Sequence, residues 1–234
     1  LTPKIIFVDH HLAHLSSSYL TSNFKKSALL SLDGFGDFAS CALGFGSDDY
    51  LDIKHRVYYP HSLGILYQSI TQMLGFKNYG DEYKIMGMSA LGNNKFEEQF
   101  QKIITIKDWN YKLNKNYFSY FENGLNFNFN NIKPTFPNLY NNNMLQLFGL
   151  NKKNIYKQQL KADIACSLQA TFEKALFSIL KYMERNFNTN NLSYSGGCAM
   201  NSLANGKILQ NTKYKNLSIH SASYDAGGAI GAAA

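Results

Sequence analysis

The chain has 234 residues, 45% hydrophobic and 17% charged, with a formal net charge of +7. That is enough apolar material for one large core or two modest ones, and no apolar run approaches the roughly 18 residues of a membrane span. Three cysteines, Cys41, Cys166 and Cys198, with no CxxC pair argue against a disulfide framework or a zinc ribbon and fit a reducing cytoplasm; the lysines lie scattered among asparagines without a dense basic block, so nucleic acid is not expected as a partner.

The chain opens without Met on the strand-like run Lys4–Val8 and closes on an Ala-rich stretch, which is expected of part of something longer. A polar stretch from His10 to Leu20 can follow the run as a helix, so the first motif is expected at a strand-to-helix junction. From Ser27 to Tyr59 short apolar runs broken by glycine predict a three-strand meander. Ile65, Tyr67, Ile70, Met73 and Leu74 share a helical stripe within 61–75, and 80–92 is predicted to be turn-rich.

Residues 93–156 are rich in Asn, Lys, Tyr and Phe, contain Pro134 and Pro137, and show little periodicity beyond a helix-like Lys95–Ile103, which predicts an inserted, irregular subdomain. The strongest helix is 158–186, where Ile164, Leu168, Phe172, Ala175, Ile179 and Met183 recur at three- and four-residue steps; it is expected to pack across a sheet. A strand at 191–195, a Gly196-Gly197 turn, a helix at 201–209, a strand at 216–220 and a helix at 226–234 then alternate as in an α/β architecture.

Four motifs can carry chemistry. In Asp9-His10-His11-Leu12-Ala13-His14 a helix puts His10 and His14 on one face, where both imidazoles can reach one cation, and turns His11 elsewhere; taken alone, such spacing is more often a capped or solvated helix start. Leu32-Asp33-Gly34-Phe35-Gly36-Asp37 ends a strand in a carboxylate and two glycines, suited to a phosphate and a metal or simply to a hairpin turn, with Asp37 the weaker of the two acids. Ser195-Gly196-Gly197-Cys198-Ala199-Met200-Asn201 runs a strand into a helix start that can meet an anion, or is a plain tight turn, since it matches neither GxGxxG nor the Walker pattern.

Tyr224-Asp225-Ala226-Gly227-Gly228 reads as a helix N-cap with small residues for close packing; if Asp225 faced His10 and His14 it would complete a two-His, one-carboxylate set suited to Fe(II), Mn or Zn. His61 and Lys84 sit in Gly-bounded segments where a substrate loop is plausible, as is a solvated connection.

In this order, DHHLAH, SLDGFGD, PHSLGILY, LGF, GDEYKIMGMSALG, SGGCAMN and YDAGGAIGAA closely resemble the O-carbamoyltransferases of the NodU/CmcH nodulation and antibiotic-biosynthesis family, from about residue 4 to the end and thinly across 93–156. The resemblance implies an actin-like ATPase fold of ribonuclease-H-like lobes, mostly the second lobe, over residues 1–234. It also implies that a first phosphate-binding hairpin and a YrdC-like C-terminal domain are missing, the latter to be supplied in cis or in trans.

It implies carbamoyl adenylate, made from carbamoyl phosphate and ATP, as donor and a hydroxyl of a sugar or natural product as acceptor. His10, His14 and Asp225 would bind a divalent metal, Fe(II) foremost with Mn, Zn or Mg as alternatives, and Asp33 would join the metal and phosphate region. Gly34, Gly36, Gly196, Gly197 and Asn201 would line the nucleotide, and His61 and Lys84 would contact the carbamoyl donor or the acceptor. Two alternatives stand beside it: threonylcarbamoyl transfer to tRNA, against which the Asp33-Gly34 turn argues, and an inactive nucleotide-binding module.

Overall fold

In the computed structural model, which describes residues 4–125, 137–151, 153–154 and 157–234, Asp9 opens helix α1 (His10–Tyr19) by accepting the N–H of Leu12 at 2.8 Å. Pro134, with the rest of 126–136 and residues 152, 155 and 156 of the Asn-rich stretch, lies outside the described residues. The predicted strand at Lys4–Val8 is absent: the run is irregular, and Ile5, Ile6 and Phe7 are exposed. Its composition suits a strand, but composition supplies no partner, and a strand needs a neighbour's free edge.

Strands β1 (Lys26–Gly36), β2 (Ala39–Ser47) and β3 (Tyr50–Tyr58) form the predicted antiparallel meander, with Leu30 opposite Leu43 and Gly44 opposite Ile53. The near-continuous apolar reading of β1 follows from its central position, where residues 27–33 are all buried. Leu15 and Tyr19 of α1 pack with Leu29 and Ala42 in the core beneath it.

The chain divides into two compact units, Leu1–Gly64 with Leu180–Ala234, and Ile65–Ile179. The second holds most of α2 (Leu63–Met73), then α3 (Glu82–Ser89), α4 (Glu97–Ile103), a hairpin of β4 (Ile104–Lys107) and β5 (Asn110–Leu113), short helices α5 (Tyr120–Asn123) and α6 (Asn142–Leu147), and the body of α7 (Gln158–Asn186). Helix α3 replaces the predicted turns, because its buried Ile85 and Ser89 span a single turn, too short for a period to register. The region expected to be irregular likewise contains the β4–β5 hairpin: Ile104-Thr105-Ile106-Lys107 and Asn110-Tyr111-Lys112-Leu113 alternate, but four residues each are too few for the period to stand out. Asp163 of α7 anchors the preceding loop by accepting Asn93 N–H at 2.9 Å and Lys95 Nζ at 2.8 Å.

In the first unit β6 (Asn191–Ser195), α8 (Ser202–Asn211), β7 (Asn216–Ser218) and α9 (Gly228–Ala233) complete a five-stranded mixed sheet of order β3-β2-β1-β6-β7, in which β1, β6 and β7 run parallel. The end of α7 and the residue after it meet the meander through His55–Tyr182 and Phe45–Phe187 contacts. The architecture is therefore α/β. Cys41, Cys166 and Cys198 form no disulfide, and among the described residues no helix is long and apolar enough to cross a membrane.

Candidate metal centre

The start of α1 is fixed twice. One oxygen of Asp9 caps the helix at Leu12 and also accepts Nη2 of Arg56 on β3 at 2.9 Å, while Asp37 accepts the His10 backbone N–H at 2.8 Å. One turn of helix then puts the Nε2 atoms of His10 and His14 3.1 Å apart. His11 turns away, its Nδ1 2.9 Å from Ser31 Oγ, and burial pushes its pKa down to about 4.

Opposite the two imidazoles stands Asp33, at the end of the buried stretch of β1. Its Oδ2 lies 2.9 Å from His10 Nε2 and 3.3 Å from His14 Nε2, and its Oδ1 accepts the Gly197 N–H at 3.0 Å. Asp225 closes the group, with Oδ1 3.4 Å from His14 Nε2 and 3.8 Å from His10 Nε2. The sequence offers Asp225 as a helix cap or as a third ligand; in the structure it is the first residue of a 3-10 turn whose N-cap position is Tyr224, and its carboxylate faces the histidines. Its side chain is 67% exposed, which leaves this side of the group open to solvent.

The four residues offer donors that all lie within 4.8 Å of one another. Ligand atoms about 2.1 Å from one ion stand about 3 Å apart at right angles and about 3.4 Å at tetrahedral angles. The separations of 2.9 to 3.8 Å fall around these values. Two imidazoles with two carboxylates and no thiolate suit a first-row divalent cation.

The electrostatics already favour positive charge. Burial pushes His14 down, but hydrogen bonds and charge from Asp225 and Asp33 outweigh it and carry its pKa up to about 9. Burial likewise raises Asp33, and bonds from His10 and His14 overcome it, holding the carboxyl well below the usual range.

Around this group lie the glycines. Gly36 passes so close to His10 that a Cβ would sit 2.0 Å from the ring, and the carbonyl of Gly34 accepts Ser62 Oγ at 2.6 Å. Gly196, at φ +88°, passes the Leu32 carbonyl where a Cβ would stand 2.1 Å from the oxygen; its left-handed backbone and this closeness both require glycine. A Cβ on Gly197 would stand 2.8 Å from Asp33 Oδ1.

Asn201 caps α8 by accepting the Ala204 N–H at 3.0 Å. His61 is not among the four donors; its backbone carbonyl accepts Ser40 Oγ. Lys84 is in the second unit, on α3 instead of the expected turn, with Nζ 2.7 Å from Asp81 Oδ1. Sequence reasoning missed Arg56, for which an isolated arginine on a strand gives no signal. It ranked Asp37 low, since its hold on the His10 N–H depends on the hairpin reaching α1.

Carbamoyltransferase N-terminus is the family whose model matches residues 1–234. The chain belongs to that family. It is 32% identical to the nodulation protein NolNO of Sinorhizobium fredii over 98% of this chain and 31% of that protein. It is 28% identical to NolO of Bradyrhizobium diazoefficiens over 97% and 37%, and 34% identical to an uncharacterized protein of Synechocystis over 99% and 36%. The chain thus spans about a third of the length of these curated relatives.

Proposed function

We propose that this carbamoyltransferase-family chain is the transfer half of a metal- and ATP-dependent O-carbamoyltransferase, moving a carbamoyl group from carbamoyl adenylate to a hydroxyl of a sugar or natural product. The observation that carries the reading is the convergence of His10, His14, Asp33 and Asp225, with Asp33 bonded at the same time to the Gly196-Gly197 turn. A strand order of β3-β2-β1-β6-β7, with an antiparallel meander beside parallel strands, supports assignment to the ribonuclease-H-like, actin-like ATPase fold.

A divalent ion held by His10, His14, Asp33 and Asp225 would polarise the carbamoyl carbonyl and offset phosphate charge. The chain's residues do the rest. Asp9 and Arg56 orient α1, and Asp33 ties its imidazole partners to the Gly197 turn, where backbone N–H groups can face a phosphate. In the transfer the acceptor oxygen forms a bond to the carbamoyl carbon, the bond from that carbon to the phosphate oxygen breaks, AMP departs, and the acceptor proton passes to a base.

The test supplies carbamoyl adenylate directly with Mn2+ or Fe(II) and an aminosugar, and reads carbamate formation by mass spectrometry. Product that disappears with EDTA and with His14→Ala supports the reading. Nucleotide binding without any carbamate would leave the chain a binding module.

A further inference from the structure

Strand β1 breaks its pairing where the metal centre begins. Leu32 pairs with Cys41 and Gly36 with Ala39, so Asp33, Gly34 and Phe35 stand against the single residue Ser40 of β2, and the parallel pairing with β6 ends at Ser31 opposite Ser195. The pleat sets the face of Asp33: Leu29 packs with α1 and Ser31 meets His11, so the residue two further on points the same way. The pleat does not set its tilt. A bulge bends the strand that carries it and re-aims side chains, so the stance of the carboxylate depends on what holds the bulge.

What holds it is the segment that leads into α2. Ser62, fully buried, brings its Oγ to 3.0 Å from the Asp33 carbonyl oxygen and 2.6 Å from that of Gly34. Successive carbonyls of an extended strand point to opposite edges, so one hydroxyl meets both only because the chain turns there. That hydroxyl has a single proton to share between them. Ser40, the residue facing the bulge, is also buried and donates to the His61 carbonyl, which ties β2 to the residue before Ser62. Gly64, at the start of α2, lies flush on the same peptide: a Cβ there would stand 2.8 Å from the Asp33 carbonyl oxygen and 2.8 Å from the Gly34 nitrogen.

We infer that Ser62 is a positioning residue of the metal centre. Its hydroxyl pins the Asp33-Gly34 peptide, and the pinned bulge lets Asp33 face His10 and His14 with one carboxylate oxygen and the Gly197 N–H with the other. Ser62 is not among the four donors and acts through backbone oxygens alone. Buried carbonyls need a donor, so without the hydroxyl the bulge turns to other partners and carries Asp33 with it. This inference deepens the metal reading above and rests on it for the role of Asp33 toward a cation.

The test follows the Gly197 amide of the full chain by two-dimensional NMR in EDTA, a reading of where Asp33 stands that needs no metal. Ser62→Ala is expected to move that amide upfield and to speed its hydrogen exchange at least about tenfold. Ser27→Ala, which removes a buried hydroxyl at the opposite end of β1, is expected to leave the amide in place. On the same samples Mn2+ binds Ser62→Ala about tenfold more weakly than the parent, and the visible absorption of bound Co2+ changes, while Ser27→Ala keeps the parental values. Gly64→Ala presses on the same peptide with the hydroxyl intact and is expected to shift the Gly197 amide as well, which decides the matter if Ser62→Ala does not fold. A parental Gly197 amide in these variants, or an equal disturbance by Ser27→Ala, would overturn the role of Ser62. If the parent binds neither Mn2+ nor Co2+, the metal reading fails, and the Gly197 amide still decides whether Ser62 holds Asp33.

Discussion

The carboxylate of Asp33 accepts the Gly197 N–H at 3.0 Å through one oxygen, and its other oxygen faces the imidazoles of His10 and His14. One side chain at the end of β1 thus couples the helix that carries the histidines to the turn after β6. Anything that draws its charge toward a cation also acts on that turn.

Asp33→Asn and Asp33→Ala are expected to separate these two tasks. Asparagine keeps an oxygen for Gly197 and loses the charge, so Mn2+ affinity falls by about 10- to 100-fold, and without metal some stability is lost because His14 keeps only one of the two carboxylates that hold its proton. Alanine also strands the Gly197 N–H, which costs about 1–3 kcal/mol more if that group is cut off from water. Calorimetric Mn2+ titration and urea denaturation check the pair, and unchanged Mn2+ affinity in both would remove Asp33 from the ligand set.

Stability and metal affinity are expected to move in opposite directions with pH. The His14 pKa, raised from 6.5 to about 9 by Asp225 and Asp33 against the effect of burial, contributes stability that is full below 6.5 and lost as pH rises through 9. Metal binding needs the neutral imidazole, so affinity rises across the same window. Melting temperatures taken from about pH 6 to about pH 10 should fall in EDTA and hold or rise with excess Mn2+. A flat EDTA profile would show that His14 is not held protonated by the two carboxylates.

Much of this centre is legible in the sequence because its parts are local. The His10–His14 spacing fixes a shared helical face, Gly196-Gly197 between a strand and a helix fixes a turn, and the stripe along 158–186 matches α7 residue for residue. What is not legible depends on partners distant in sequence. The Lys4–Val8 run has the residues of a strand but pairs with no strand among the described residues, and the choice between cap and ligand at Asp225 stays open until the fold turns it toward His14. Arg56 gives no hint of its role, since its meaning lies in the 47-residue separation from Asp9.

Gly231 is expected to control the centre from outside it. A Cβ there would stand 1.8 Å from the Ala13 carbonyl, so α9 lies against the backbone of the helix that carries His14. Gly231→Ala must push the two helices apart, at about 1–3 kcal/mol of overpacking. Urea denaturation should show that loss, and Mn2+ titration a weaker site, because Asp225 precedes α9 and moves with it. Unchanged values for both would mean that α9 is free to shift without disturbing the ligands.

The Asp9–Arg56 pair is expected to set metal affinity without touching the metal. Asp9 has a lowered pKa: burial opposes ionisation, and the bonds from Arg56 and the Leu12 N–H prevail. Asp9→Asn retains a helix cap but removes the charge that Arg56 holds, whereas Asp9→Ala loses the cap as well, worth about 1 kcal/mol. Arg56→Met should therefore resemble Asp9→Asn in weakening Mn2+ binding several-fold with little loss of helix, and Arg56→Lys should restore part of it, since lysine keeps the charge but not the planar geometry. Circular dichroism reads the helix and calorimetry the affinity. If Arg56→Met leaves Mn2+ binding at the parental value while Asp9→Ala weakens it, the cap alone orients His10 and His14, and the arginine is a bystander on β3.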